Sequence, residues 1–524
     1  MEWLETAGSL ADVFRAGARA QPQATAQIFR ERVTTYAELD RRASQAANGL
    51  IALGARPGVR IGYLGKNSDL YFELLLGALK ADVVLVPVNW RLAPPEAAVI
   101  LSDAGVDILF VGPGYAPMTE AIAGAGHPVR ECIGMDGANP AWPDFAAWRD
   151  AQPDADPMMS IAPDHTAIQL YTSGTTGLPK GVELTHGNYL ALLTAWEGAG
   201  FGDIGPADAV LTCMPLFHVA GVNMGVFALA YGAVNVVMEE VSVPGVLDLV
   251  PRHGVTLALL VPAVVLALVQ HPDAERTDLR SLRRLLYGAS PIAEATVLRA
   301  KVLLPGTELW HVYGLTETTG GGTYLPPALI EGPNAKLRSC GRPCPTFELR
   351  IVGPLGKDLP TGEVGEIVLR SPAVMKGYWK KPEATRAAFF EGGWLRTGDA
   401  GYLDSEGFLY IHDRIKDMIV SGAENVYPAE VENVLMGHPA ISDVAVIGVP
   451  DERWGEAVKA VIVLKPGHQA SPEDILGFAR SRIAGYKLPK SIDFVPALPR
   501  NPSGKILRRD LRAPYWAGRA RQVN

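Results

Sequence analysis

Short apolar stretches alternate with helical segments along much of this 524-residue chain, and that rhythm limits the fold more than any other feature. Residues 59–64 predict a strand, 68–80 a helix and 83–88 another strand. A second round follows, with a helix near 95–103 and a strand at 108–111. The same alternation recurs between residues 166 and 286. Consecutive strands joined through a helix run parallel, so the expected fold class is α/β with mostly parallel sheets built from βαβ units. Upstream, residues 9–18 have helical apolar spacing, and Thr35 with Glu38 three positions on predicts a capped helix start.

The texture changes after about Cys340. Residues 347–352 and 366–370 predict short strands bounded by Gly and Pro, and 401–411 a hairpin turning at 404–407. A last α+β module follows, with strands at 444–449 and 458–464 and a helix near 472–483. Such a length exceeds one core. The expected organisation is a large N-terminal domain of βαβ-built sheets with a small antiparallel β subdomain, residues 1–415, then a small mobile α+β C-terminal domain, residues 416–524.

Composition narrows the function classes. A net charge of −8 provides no general attraction to nucleic acid or an anionic membrane. The cysteines, Cys132, Cys213, Cys340 and Cys344, form no CxxC and no Cys/His ligand set, which predicts free thiols in a reducing cytoplasm. The N-terminus lacks a signal-peptide plan. The most apolar run, 257–269, is too short to span a bilayer and contains Pro262, so a buried strand followed by a buried helix is expected. The sequence does not fix the oligomeric state and allows a homodimer.

The most informative stretch is Tyr171-Thr172-Ser173-Gly174-Thr175-Thr176-Gly177-Leu178-Pro179-Lys180-Gly181, directly after a predicted strand at 167–171. Its glycines let the backbone approach an anion, its hydroxyls and N–H groups can donate to phosphate oxygens, and Lys180 adds charge. The Walker spacing is absent, which excludes an ordinary P-loop NTPase. GxSxG and HExxH are absent too, so hydrolase and zinc-protease readings lack support.

This loop closely resembles the signature of the acyl-adenylate-forming superfamily, which includes acyl- and aryl-CoA ligases, adenylation domains of peptide synthetases and beetle luciferases. Further matches follow in family order through residue 507. Tyr313-Gly314-Leu315-Thr316-Glu317-Thr318 is similar to the second nucleotide motif; the resemblance implies that Tyr313 packs on adenine, Thr316 bonds phosphate and Glu317 binds Mg²⁺. Gly288-Ala289-Ser290-Pro291 resembles the loop on the other adenine face. Thr397-Gly398-Asp399 lies before the predicted hairpin, and the resemblance makes Asp399 the ribose carboxylate and Arg414 a second ribose contact; alone, Asp399 reads as a turn residue. The lysine of Pro502-Ser503-Gly504-Lys505 resembles the family's catalytic lysine, against a plain reading as a solvated turn cation. His218 reads either as a satisfied core histidine or, by resemblance, as the group beside the acid's carboxylate.

The resemblance implies ATP, Mg²⁺ and coenzyme A as cofactor and co-substrates, and a carboxylic acid that is first adenylated and then passed to the CoA thiol. Lys416 matches the hinge about which the C-terminal domain rotates. Ser421 and Gly422 match the loop lining the pantetheine tunnel. Val219, Ala220, Asn223, Met224, Val261 and Ala263 are the expected acyl wall, with Gly320 and Gly321 leaving one side without a side chain. The stretch 217–227 has no Asp or Glu to pair an α-ammonium, so an amino acid is not the expected substrate. A medium- or long-chain fatty acid is expected. The alternatives are an aryl acid, a stand-alone adenylating enzyme that loads a carrier protein, and a non-catalytic nucleotide-binding protein of the same fold.

Overall fold

The computed structural model describes residues 6–172, 179–201, 203–332, 335–414, 417–421, 424–451, 454–480, 482–500 and 505–517. Two large sheets dominate the first four hundred residues. In the seven-stranded sheet the central strands Arg60–Leu64, Val84–Val88, Ile108–Val111, Glu131–Gly134 and Thr166–Thr172 run parallel. The nine-stranded sheet has a parallel centre of Ala209–Thr212, Val234–Val237, Leu257–Leu260, Arg284–Gly288 and Glu308–Gly314. Both carry antiparallel strands at their edges.

The predicted rhythm is therefore present but divided between two sheets. The helices Asp69–Lys80 and Val219–Ala230 are packed into one continuous core; every residue of Asp69–Lys80 is buried. Ser68 caps the first of these through the Leu70 N–H, and the Thr35/Glu38 capping box opens the helix Tyr36–Ala52. Leu257–Leu260 is a strand and Pro262–Gln270 a helix, with Pro262 in its first turn where a missing N–H is harmless.

The strands Glu348–Val352, Gly365–Arg370, Phe389–Phe390, Trp394–Leu403 and Leu409–Arg414 form a separate antiparallel sheet. Asp399 lies within the strand Trp394–Leu403 and pairs with Arg414; the sequence placed it before the hairpin. That strand starts seven residues earlier than the hairpin predicted at 401 because Gly365–Arg370 offers it a second partner.

From Ile419 onward the chain forms its own sheet and its own core of Ile419, Val431, Leu435, Val446, Val458 and Ile475. Among the described residues no helix is long and apolar enough to cross a membrane. Cys132, Cys213, Cys340 and Cys344 are all free.

Candidate active site

The site gathers at the C-terminal ends of parallel strands, where an open α/β sheet places its ligands. Arg284–Gly288 and Glu308–Gly314 are adjacent, and their ends bring Gly288 level with Val312. Ala289 follows at φ 66, a left-handed conformation that a side chain rarely takes and that fits a tightly bent ligand loop; Ser290 beside it is half-buried. Tyr313 reaches across to the antiparallel sheet and donates its hydroxyl to Asp399 Oδ2 at 2.7 Å. Asp399 is 5% exposed, and its N–H donates to Thr397 Oγ1 at 3.1 Å. The proposed adenine and ribose groups thus hold one another. The Arg414 side chain lies outside the described residues, although its backbone pairs with Asp399.

Thr166–Thr172 and Lys180–Thr185 form an antiparallel hairpin in which Thr172 faces Lys180. The intervening Ser173, Gly174, Thr175, Thr176 and Gly177 lie outside the described residues. Lys180 Nζ lies 4.8 Å from the centre of the Tyr378 ring, and the Tyr378 hydroxyl donates to Glu317 Oε1 at 2.9 Å. Glu317 occupies the short turn Thr316–Thr318 just after Gly314. The segment carrying Tyr378 joins both sides: Met375 N–H donates to Glu317 O and Trp379 N–H to Gly181 O, each at 2.8 Å. Sequence reasoning missed this bridge. Its one signal was Gly377-Tyr378 facing a strand that only tertiary pairing supplies.

Among the described residues no cluster of three or more His, Cys, Asp or Glu could hold a metal unaided. A single half-buried carboxylate, Glu317, beside Lys180 and Thr316 fits Mg²⁺ that arrives on nucleotide phosphates, since that ion keeps mostly phosphate and water oxygens.

His218 occupies the cap position of Val219–Ala230, its N–H bonded to Pro215 O at 3.0 Å. The loop before it is clamped by Asn67, whose amide donates to Met214 O and Met238 O and accepts from Leu216 N–H. Burial, and then the Lys505 cation, push the His218 imidazole down to about 4, so the ring is neutral at ordinary pH. Lys505 precedes the helix Arg508–Trp516, next to the Arg500–Ile506 bridge.

The expected acyl residues divide. Val219, Ala220 and Ala263 are half-buried. Asn223 is 4% exposed; its Nδ2 donates to Thr319 O at 2.8 Å, and its Oδ1 has no hydrogen-bond partner among the described residues. Met224 and Val261 belong to the main core. The glycine side is closed rather than open. A Cβ on Gly320, at φ 86, would meet Asn223 Nδ2 at 2.7 Å, and one on Gly321 would meet Phe347 at 2.7 Å and Leu192 at 2.8 Å. These glycines let backbone lie against side chains. Ser421 is buried in the strand Ile419–Ser421, while Gly422 and Lys416 lie outside the described residues.

Comparison with known proteins agrees with this arrangement. The AMP-binding enzyme family matches residues 14–379, and the AMP-binding enzyme C-terminal domain matches 430–505. The chain is 41% identical to a fatty acid–[acyl-carrier-protein] ligase of Streptomyces coeruleorubidus, over 97% of this chain and 96% of that one. It is 40% identical to a feruloyl-CoA synthase of Amycolatopsis, over 95% and 97%. A solved anthranilate CoA ligase in complex with anthranoyl-AMP is 28% identical and superposes with a TM-score of 0.89, covering 97% of each chain. The chain belongs to the AMP-binding enzyme family of acyl-adenylate-forming ligases, and is an acid–thiol ligase that uses ATP.

Proposed function

We propose that the protein adenylates a medium- or long-chain aliphatic carboxylic acid and transfers the acyl group to coenzyme A. One observation carries the nucleotide part of this reading: Lys180 and Glu317 share the Tyr378 side chain, and Tyr313 holds Asp399 by a hydrogen bond. The substrate carboxylate attacks the α-phosphorus of ATP, the α–β bridging P–O bond breaks, and pyrophosphate leaves. Two anions meet, so charge screening and alignment supply most of the catalysis. Lys505 screens the meeting oxygens, Lys180 and the loop 173–178 hold the leaving group, and Asp399 with Arg414 fixes the ribose. Bound magnesium would neutralise phosphate charge beside Glu317. Neutral His218 orients the acid without adding a competing charge.

In the second half-reaction the CoA thiol attacks the acyl carbonyl, loses its proton, and AMP departs. Rotation of residues 416–524 about Lys416 withdraws Lys505 and brings in the loop containing Ser421 and Gly422. The four free thiols suit a reducing cytoplasm.

The wall formed by Val219, Ala220 and Ala263 supports an apolar acid, and no carboxylate from 217–227 is present for an amino acid's ammonium. An aryl acid is the second reading, favoured by Asn223. Its buried Oδ1, without a partner among the described residues, would accept a phenolic O–H, and the closed glycine side suits a compact ring. Measuring kcat/KM from acetate to octanoate beside benzoate and hydroxycinnamate separates the two. The aliphatic reading expects a several-fold rise per carbon, at about 0.8 kcal/mol per buried methylene. A flat aliphatic series with an optimum on a hydroxylated ring overturns it. Supplying a phosphopantetheinylated carrier in place of CoA tests the acceptor.

A further inference from the structure

The two charged groups expected at the phosphates, Lys180 and Glu317, come from different sheets and, among the described residues, form no ion pair with each other. Each touches Tyr378 instead. The Lys180 ammonium lies over the ring face, 4.8 Å from its centre, and the ring's hydroxyl donates to Glu317 Oε1 at 2.9 Å. Tyr378 is itself fixed. Its strand pairs with Lys180–Thr185, opposite Val182, and its N–H donates to Thr385 Oγ1 at 2.9 Å. We propose that Tyr378 is a positioning residue that keeps Lys180 and Glu317 apart and aims the Glu317 carboxylate at the nucleotide-bound metal.

The argument is chemical. A lysine and a glutamate within reach would pair, and the pair would compete with both phosphate and metal for the same charges. An aromatic face satisfies the ammonium by cation–π attraction without neutralising it. A hydrogen bond to one carboxylate oxygen stops the group from rotating and defines where the other oxygen points. Tyr378 does both with one side chain, so the lysine stays available to phosphate and the carboxylate to a cation. This inference rests on the reading of Glu317 as the metal carboxylate.

Tyr378→Phe removes the hydroxyl and keeps the ring. The decisive readout is binding rather than turnover: dissociation constants of Mg·ATP and of metal-free ATP, by titration calorimetry on the intact chain. Tyr378→Phe should weaken Mg·ATP about tenfold, as expected for losing a hydrogen bond to a half-buried charged group, and leave metal-free ATP within about twofold. Glu317→Gln should show the same split. Tyr378→Leu, which also removes the ring, should weaken metal-free ATP as well, because Lys180 is then drawn to Glu317. Equal weakening of both ligands by Tyr378→Phe would mean a general structural role and overturn the proposal. Unchanged Mg·ATP in Tyr378→Phe with a shift in Glu317→Gln would overturn it while leaving the metal reading intact. No shift in Glu317→Gln would remove that reading and the proposal with it.

Discussion

The two sides of the active site are anchored differently. On the nucleotide side, Tyr313, Asp399, Glu317 and Tyr378 are joined by short side-chain hydrogen bonds and stand on buried sheets that share the main core or abut it. On the lysine side, Lys505 belongs to a unit with a separate core, and described contacts join that unit to the large one. Asn433 exchanges two long hydrogen bonds with Glu294, at 3.3 and 3.4 Å, and His412 lies against Tyr427. Within the small unit the ties are stronger. Asp417 pairs with Arg512 at 3.0 Å, and Arg508 pairs with Glu432 at 2.8 Å, both on the helix that follows Lys505. The contrast teaches that the helix following Lys505 is tied by ion pairs into its own unit, while the nucleotide groups are tied into the large one. A group needed in only one of two half-reactions should be held in that way.

The strongest test of the contrast is Lys505→Ala. Adenylation should fall by roughly 10²–10³, by analogy with the loss of a transition-state donor. Thioester formation from supplied acyl-adenylate should survive, and ATP should still bind the large unit. An equal fall in both half-reactions would show that Lys505 is not confined to one of them.

Acid should sharpen the contrast through stability. His186 and His311 are buried in the large unit, and burial holds both at about 4. The unfolded chain protonates them near 6.5 and the folded chain does not, so the unfolded state binds more protons between those values. Stability is therefore lost as pH falls from about 6.5 towards 4, by up to roughly 1.4 kcal/mol per pH unit for each histidine. Hydrogen exchange across this range should show the large unit opening before the strands Ile441–Asp451 and Gly455–Leu464, which carry no histidine. Earlier opening of those strands would contradict the assignment.

The smallest expected effect comes from Glu294→Ala or Asn433→Ala. Long, part-buried polar ties of this kind contribute about 1 kcal/mol, so adenylation should drop a few-fold. Thioester formation from supplied adenylate should hold or rise, because the orientation that keeps Lys505 in place is the one being loosened. A large loss in both steps would mean that the junction is structural rather than poised.

What the sequence determined by itself is local. The alternation of strands and helices, the Thr35–Glu38 capping box and the helix begun by Pro262 are readable because propensity, capping and hydrophobic period act over a few residues, whereas the motifs around Gly288, Tyr313, Asp399 and Lys505 are read through their resemblance to a family. What only the tertiary structure decided is pairing across long separations. The hairpin of Thr25–Phe29 and Arg32–Thr35 joins the nine-stranded sheet by lying beside Val234–Val237. Asp399 is taken into a strand because Gly365–Arg370 extends it. Gly320 and Gly321 are packed against Asn223, Phe347 and Leu192, so their wall is closed where the sequence left it open. Asn67 secures the His218 loop 147 to 149 residues away, and Tyr378 joins Lys180 to Glu317. Such contacts leave no periodic trace, since the free energy that selects them comes from burying two distant surfaces together, and neither surface records its partner.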